Sequence, residues 1–320
     1  EYIEEAVRVS PDKPILVDEF LAEAIELDVD AVSDGDRAII GGVMEHVESA
    51  GVHSGDSACL IPPRSLDAAT MGRVREVTED IATALDTVGL LNVQLAVKDS
   101  EVYVLEANPR SSRTVPFVSK ATGVPIAKLA ARVMAGETLD DIDAEEQIPE
   151  DVSVKEVVLP FDRLPGSDPR LGPEMKSTGE VMGTADTFAK AYDKAQDATG
   201  KSVPESGTAW IDLSAAEFPD PDTEAGQTLR EDYAEYFDLA EFDTNEDLAS
   251  ALREGRIDVV VSRDRDPLKI CVEEEITYFS TTASARGALE ALSAKDEPID
   301  VQAVSDRPRR VEQWGASGDD

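Results

Sequence analysis

The chain has 320 residues, 41% hydrophobic and 5% aromatic, enough for a sizeable core in about two domains. Its 68 acidic and 30 basic residues give a net charge of −38, which argues against nucleic acid or an anionic membrane as a partner. The sequence contains two cysteines, which predicts a reducing environment without a disulfide framework. It has no apolar run near ~20 residues and no signal peptide, so a cytoplasmic location is expected.

The acidic residues are spread along the whole chain, and only 11 of the 30 basic residues are lysine. The apolar periodicity continues between them, so the sequence still predicts folded elements. This combination favours adaptation to high salt, where repulsion between like charges is screened. The alternatives are an acidic protein of an ordinary cytosol and a disordered acidic segment.

The first predicted elements form a hairpin. Residues 24–32 alternate between polar and apolar, with Glu26, Asp28 and Asp30 on one face. Asp34 and Gly35 form the turn, and residues 38–47 return as the second strand. Ser65 is predicted to cap a helix that runs to about Val88 and ends at Gly89.

The next two strands, at 91–98 and 102–108, carry polar residues on one face. Asn92 and Gln94 lie on the first strand, and Glu106 and Asn108 lie on the second. A three-residue loop at 99–101 places Gln94 opposite Glu106, whereas a two-residue loop would pair Gln94 with Leu105 and mix the faces. The polar pattern therefore predicts the three-residue loop.

This polar face resembles a site for polyphosphate chemistry. Carboxylate and amide oxygens suit Mg²⁺, which takes one or two carboxylates together with substrate phosphates. Arg110 and Arg113 follow directly, and arginine forks bind phosphate or carboxylate. The alternative is an amphipathic edge hairpin with solvated polar residues. No GxxxxGK motif is present, so a P-loop enzyme is disfavoured.

The remaining elements divide the chain. An amphipathic helix at 125–135 and an acidic linker at 137–151 precede a strand at 153–160, turns at 163–183 and a helix at 187–198. The boundary is predicted at 199–207, where Gly, Ser and Pro accumulate. Beyond it, strands at 209–213, 257–261, 276–279 and 299–304 alternate with helices at 225–237, 245–255 and 284–292. That alternation predicts a small parallel α/β domain.

Several long strings resemble one family, the large subunit of carbamoyl phosphate synthetase. They are IGGVMEHVESAGVHSGDSA, EANPRSSRTVPFVSKATGVPIAKLAARVMAG, SVKEVVLPF and PGSDPRLGPEMKSTGEVMG. The resemblance implies that residues 1–200 are the C-terminal part of an ATP-grasp domain, the half that phosphorylates carbamate. Residues 201–320 resemble, more weakly, a divergent allosteric domain of the methylglyoxal-synthase-like kind.

The resemblance also implies roles for individual residues. The backbone of Glu19 and Leu21 would bind adenine, Glu26 the ribose, and the loop Gly51, Val52, His53 and Ser54 would lie near the nucleotide. Gln94 and Glu106 would contact both ATP and the metal, with Asn108 as a further ligand of Mg²⁺ or Mn²⁺. Arg110 and Arg113 would orient carbamate and the γ-phosphate. His46 is interpreted as structural.

A second site follows from the same resemblance. Bacterial relatives bind ornithine between domains, and the carboxylates of that site fall on Glu48, Asp56 and Glu156, with its hydroxyl on Thr281. The family's phosphate-binding loop falls on Ser262, Arg263 and Asp264. An acidic side chain does not suit a phosphate, so the sequence argues against a nucleotide effector.

The implied reaction converts ATP and carbamate to ADP and carbamoyl phosphate, which serves pyrimidine and arginine synthesis. The implied partners are a preceding part of the large subunit, with a glycine-rich lid, and a glutaminase small subunit. The chain is accordingly expected to be a fragment that is inactive alone. Two alternatives remain: a non-catalytic regulatory or assembly piece, and another ATP-grasp ligase, such as a relative of biotin carboxylase.

Overall fold

The computed structural model describes residues 19–163, 166–216, 218–298 and 301–315. The first unit contains strands β1 (Ile25–Asp34), β2 (Ala38–His46), β3 (Cys59–Ile61), β4 (Val88–Lys98), β5 (Glu101–Asn108), β6 (Gln147–Pro149), β7 (Val152–Val158) and β8 (Gly179–Ala185). Its helices are α1 (Ala68–Ala84), α2 (Val115–Thr122), α3 (Ile126–Met134) and α4 (Phe188–Thr199). A predicted helix end at 1–10 and a short strand at 15–17 lie outside the described residues.

Seven of these strands form one antiparallel sheet in the order β5-β4-β1-β2-β3-β7-β8. Apolar residues of the sheet and of α1, α2 and α3 make the main core, while α4 packs on β7 and β8 around Val154 and Tyr192. The predicted first hairpin is confirmed, because β1 pairs with β2 across the turn at Asp34 and Gly35. The sheet is the rigid platform on which the candidate site is built.

The β4–β5 hairpin confirms the predicted pairing but corrects its loop. Gln94 lies opposite Glu106, and Asn92 lies opposite Asn108. The turn, however, has two residues, because Lys98 pairs with Glu101. Its central residues have φ of 52° and 65°, values that fit the twist of a two-residue hairpin. A bulge after Gln94 restores the polar register that the shorter turn would have shifted.

Helix α1 begins later and ends earlier than predicted. Its N-cap is Asp67, whose carboxylate accepts from the Thr70 amide, whereas the Ser65 hydroxyl donates to Glu45 instead. The helix ends at Ala84, and the predicted terminator Gly89 lies inside β4. The periodicity of the apolar residues could not separate the last helical turn from the start of a buried strand.

The second unit is a four-stranded parallel sheet, as the alternation of elements predicted. Its strands are β9 (Gly207–Ile211), β10 (Phe237–Leu239), β11 (Val259–Val261) and β12 (Thr277–Phe279), in the order β10-β9-β11-β12. The helices α5 (Glu224–Ala234), α6 (Asn245–Arg253), α7 (Arg265–Glu273) and α8 (Thr282–Ala294) complete it. Helix α7 and strand β10 were not predicted, and the helix predicted at 225–237 ends at Ala234.

The end of the chain leaves the second unit and returns to the first. Residues 301–303 are irregular and Val304–Asp306 is a single 3₁₀ turn, so the strand predicted at 299–304 is wrong for its described part. Strand β13 (Arg309–Val311) pairs with β6, and Trp314, 2% exposed, packs in the main core. The C-terminal segment therefore joins the two sheets again, and the domain boundary near residue 200 stays a prediction.

Candidate functional site

The polar side chains on the hairpin face differ in their exposure and in whether they already form hydrogen bonds within the protein. Glu106 is exposed on the edge strand β5, and Gln94 is half-buried beside it. Asn92 is buried and donates to Asp28 and Asp30, at 3.2 and 2.9 Å. The Asn108 amide oxygen accepts from Arg110 at 3.1 Å. Glu106 and Gln94 are therefore the oxygen donors of this face that remain accessible to a ligand.

A cleft of about 460 Å³ opens between this hairpin and the opposite end of the sheet. It brings together the predicted residues Ser54, Gln94, Arg110 and Arg113. Residues that the sequence did not assign to the site also line it: Asp28, Gly55, Asn92, Ser112, Thr114, Lys155, Met175, Ser177, Thr178, Gly179 and Glu180. The cleft therefore combines three cations with two carboxylates, a mixed lining suited to an anionic substrate held with a cation.

The two arginines are held differently. The Arg110 guanidinium donates to the Asn108 amide and to the Ser111 carbonyl, both at 3.1 Å. The Arg113 guanidinium is exposed and contacts the Met175 sulfur. Arg110 is thus fixed to the strand that carries Glu106, whereas Arg113 can adjust to a bound group.

The loop that carries Arg113 is anchored to the sheet by a buried carboxylate. Thr114 donates to Asp30 at 2.6 Å, and Asn92 donates to the other oxygen of the same group. Burial raises the pKa of Asp30 to about 7, although these hydrogen bonds act in the opposite direction. Asp30 is therefore a positioning residue that holds the loop near the cleft.

A buried histidine joins two carboxylates beneath the predicted ribose site. The His46 ring lies 2.9 Å from Asp28 and 3.4 Å from Glu26. Burial disfavours its charge, but the Cys59 side chain and the Asp28 hydrogen bond outweigh burial and raise the pKa of His46 well above its usual value. Burial likewise opposes ionisation of Asp28, but His46 lowers the pKa of Asp28. The interpretation of His46 as structural stays a prediction, refined by this orienting contact.

The predicted adenine and ribose residues form a group beside the cleft. The Gly51 amide donates to Glu26 at 3.3 Å, and a Cβ at Gly51, where φ is +102°, would lie 3.3 Å from the Phe20 ring. Glu19 is exposed and Leu21 half-buried in the turn before β1. Glu26, the turn and the glycine are therefore adjacent, as a nucleotide site requires, without lining the 460 Å³ cleft.

The loop after Gly51 connects that group to the cleft. Val52 is buried, and the His53 amide donates to Gly172 at 2.8 Å. The His53 ring accepts from the Gly55 amide at 2.9 Å, while Ser54 reaches the cleft. His53 is thus engaged within its own loop, and its role as a nucleotide contact stays a prediction.

The residues predicted for the ornithine site separate into two groups. Burial and the neighbouring Glu156 raise the pKa of Glu48 to about 8, and burial also raises the pKa of Glu156. Asp56 accepts from the amides of Lys176 and Ser177, and Thr281 is the N-cap of α8. Glu48 also accepts from the Ala58 amide at 2.7 Å and Glu156 from the Val157 amide at 2.9 Å, so all four groups already hold the local backbone.

In the second unit, the carboxyl ends of the parallel strands are where ligands bind in such sheets. Ser262, after β11, donates to Asp212 at 3.0 Å and accepts from the Asp264 amide at 2.9 Å. Asp264 is the N-cap of α7. These neighbours support the expectation that a phosphate is disfavoured at this position.

The oxygen donors of the hairpin fit a magnesium or manganese ion, although the described residues contain no group of three His, Cys, Asp or Glu side chains placed for a metal. A single carboxylate with neighbouring amide oxygens is sufficient when phosphates supply the other ligands. Asp28, which was not assigned to the site, belongs to the polar and apolar alternation of residues 24–32. That alternation could have placed Asp28 on the polar face of the sheet. Lys155 gave no such signal, because it is one of three polar residues in a strand whose remaining positions are all valine.

Comparisons with known proteins agree with this arrangement. Residues 1–142 match the family model described as "Carbamoyl-phosphate synthase L chain, ATP binding domain". The chain is 62% identical over 314 residues to the carbamoyl phosphate synthase large chain of Halobacterium salinarum, covering 98% of this chain and 28% of that one. It is 48% identical over 296 residues to the large chain of Vibrio cholerae, covering 90% of this chain and 27% of that one.

The matched domain defines the class as an ATP-binding protein. The chain belongs to the family of carbamoyl phosphate synthase large chains, so the resemblance predicted from the sequence is confirmed. It spans less than a third of the length of these relatives.

Among solved structures, the biotin carboxylase domain of a single-chain bacterial carboxylase is 14% identical with a TM-score of 0.47, covering 61% of this chain and 57% of that one. No helix in the described ranges has the length and apolarity that a membrane span needs.

Proposed function

We propose that this chain supplies part of the ATP site at which a carbamoyl phosphate synthase large chain phosphorylates carbamate. Gln94 opposite Glu106 is the observation that carries the proposal. This pair places a carboxylate and an amide oxygen on neighbouring strands, with Gln94 lining the cleft and the exposed Glu106 beside it, outside the lining. Arg110 and Arg113 supply positive charge to the same space.

Each residue has a defined task in this proposal. Glu106 and Gln94 would hold Mg²⁺ or Mn²⁺, with Asn108 as a further ligand through the lone pair that does not accept from Arg110. The ion would neutralise phosphate charge during transfer. Arg113 binds the transferred group, and Arg110 orients its oxygens from a fixed position on β5. Glu26 accepts hydrogen bonds from the ribose hydroxyls, with Glu19, Leu21 and the loop at 51–54 around the nucleotide.

The wider assignment follows from the family. We infer a glutaminase small subunit and the remaining large-chain sequence as partners, ATP-dependent ligation coupled to glutamine hydrolysis, and a cytoplasmic role in pyrimidine and arginine synthesis. Residues 201–320 would form the divergent allosteric domain, and 1–200 the ATP-grasp portion. A purely regulatory or assembly role is less favoured, because four of the predicted site residues line one open cleft: Ser54, Gln94, Arg110 and Arg113.

Glu106→Gln tests the proposal in a large chain that contains this sequence and has the length of the curated relatives. The substitution retains size but removes the negative charge that faces the metal. Formation of ATP from ADP and carbamoyl phosphate should fall by roughly 10²–10³, the usual cost of one electrostatic contact to a transition state. Bicarbonate-dependent ATP hydrolysis, assigned to the other half of the protein, should largely persist.

Glu101→Gln is the matched control, because Glu101 is also an exposed glutamate of β5 but lies at the turn. It should leave both partial reactions unchanged. Near-normal ATP formation by folded Glu106→Gln would overturn the metal role. A parallel loss of both partial reactions would instead indicate that Glu106 supports the fold or the coupling between halves.

A further inference from the structure

Lys155 is a buried cation that forms no ion pair with a carboxylate in the described part of the chain. It lies in the middle of β7, is 2% exposed and lines the 460 Å³ cleft. Its ammonium group donates one long hydrogen bond, to the Ser54 carbonyl at 3.5 Å. Among the residues that the structure describes, none of the ion pairs of 4.0 Å or less includes Lys155. A buried charge in this condition is costly unless a ligand completes its environment.

The neighbours of Lys155 in the sheet do not supply that ligand. In the register of the sheet, Lys155 lies between Cys59 of β3 and Met182 of β8. The next residue, Glu156, faces the other side of the sheet and accepts from Gln196 at 2.8 Å. Strand alternation therefore points Lys155 into the cleft and Glu156 away from it.

Lys155 nevertheless remains charged in its buried position. Burial favours the neutral amine, but the neighbouring Cys59, Glu180 and Asp28 side chains outweigh burial and raise the pKa of Lys155. The ammonium group is thus available to an anion. Arg110 and Arg113, the other cations of the lining, approach the cleft from the β5 side and its following loop.

We propose that Lys155 binds the oxygens of carbamoyl phosphate or its precursor carbamate from the β7 side of the cleft, opposite Arg113. This inference rests on the proposed function and adds an anion-binding residue to it. The transferred group would be held between two cations, with Lys155 as a point charge and the arginine as a planar fork. The competing explanation is that Lys155 only balances the charge of nearby carboxylates, those of the buried Asp28, the half-buried Glu156 and the exposed Glu180.

Lys155→Met distinguishes these explanations in the same full-length large chain. ATP formation is measured while MgADP and carbamoyl phosphate are varied separately. The KM for carbamoyl phosphate should rise about tenfold or more, the effect of one charge-assisted hydrogen bond. The KM for MgADP should stay within about twofold, and Lys155→Arg should recover part of the affinity. Lys128→Met, an exposed lysine on α3, is the control.

Equal KM values in wild type and folded Lys155→Met would overturn the inference, as would a lower melting temperature with no change in either KM. If Lys155→Met does not fold, Lys155→Gln is used, because its amide can still donate to the Ser54 carbonyl. The rise in melting temperature caused by carbamoyl phosphate alone is a second readout, present in wild type and lost in the variant. No ATP formation by wild type contradicts the proposed function; a melting shift that both wild type and variant retain contradicts only the role of Lys155.

Discussion

The two sheets of this chain differ in the number of ionisable side chains that they bury. The antiparallel sheet buries ionisable side chains on its strands, including Asp28, Asp30, His46 and Lys155. The described part of the parallel sheet and its helices buries only hydroxyl groups among its polar side chains, such as Ser262 and Thr281. Because burying charge opposes folding, its concentration on one sheet indicates where the chain has retained costly groups for binding.

The surfaces show the reverse distribution. Residues 201–320 carry 29 acidic and 12 basic side chains, whereas the longer range 1–200 carries 39 and 18. The second range therefore has the denser negative charge and fewer buried charges. Its stability should depend more on the screening of surface repulsion, and that of the first unit more on its internal contacts.

The largest expected effect is loss of folding at low ionic strength, beginning in the second unit. Between molar and 0.01 M salt the Debye length grows from ~3 to ~30 Å, so the surface acids repel one another without screening. Fluorescence of Trp210 in Trp314→Phe and of Trp314 in Trp210→Phe reports the two units separately. As KCl is lowered, the Trp210 signal should change at a higher KCl concentration than the Trp314 signal. A melting temperature independent of KCl would contradict the prediction.

The C-terminal segment should stabilise the first unit, although it follows the second in the chain. Trp314→Ala removes a buried side chain and should cost about 3–5 kcal/mol of unfolding free energy. Its amide also donates to Glu146, which is paired with Arg75 at 2.6 Å. Urea unfolding followed by circular dichroism measures the loss. Trp210→Ala, half-buried in the other sheet, is the comparison and should cost less.

The cleft cations should matter for activity and the cations of the second unit should not. Arg113→Ala should reduce ATP formation from ADP and carbamoyl phosphate by roughly 10²–10³, equivalent to about 2.7–4 kcal/mol. Arg256→Ala removes an exposed arginine paired with Glu254 and is the control. Steady-state rates of the full-length large chain provide the measurement. Similar rates for both variants would remove the functional distinction between the two regions.

The smallest expected effect is a pH dependence that resides in the first unit. The pKa of Glu48 is raised to about 8 from an ordinary value of 4.5, so the folded state keeps a proton that the unfolded state releases. The stability from this group is present below pH 4.5 and is lost as the pH rises through about 8. Glu48→Gln cannot ionise, so its unfolding free energy should fall less steeply than that of the wild type between pH 5 and 8.

Urea unfolding in molar KCl at several pH values tests this prediction. Asp30, whose pKa is about 7, should preserve part of the slope in the variant. Glu246→Gln, exposed on α6, should reproduce the wild-type slope. An unchanged slope in Glu48→Gln would mean that Glu48 is ionised in the folded protein at neutral pH.

Local pattern was sufficient where one face of an element decided its partner. The polar residues of β4 and β5 predicted the pairs Gln94–Glu106 and Asn92–Asn108, because a one-residue slip would bury them on the apolar side. The pattern did not predict the bulge, since a three-residue loop and a two-residue turn with a bulge give the same pairs. Similarly, the apolar stripe of α1 was predicted, but not the choice of Asp67 over Ser65 as its cap.

The sequence by itself determined the family, the two kinds of sheet and the residues of the hairpin face, since each depends on patterns that are contiguous along the chain. Only the tertiary structure decided that Lys155, about 60 residues from Gln94, reaches the same cleft, and that Trp314 fills the core of the first unit. Those contacts depend on the order of the strands in the sheet and on the path of the C-terminal segment. Both are determined by packing between residues that are far apart in the sequence.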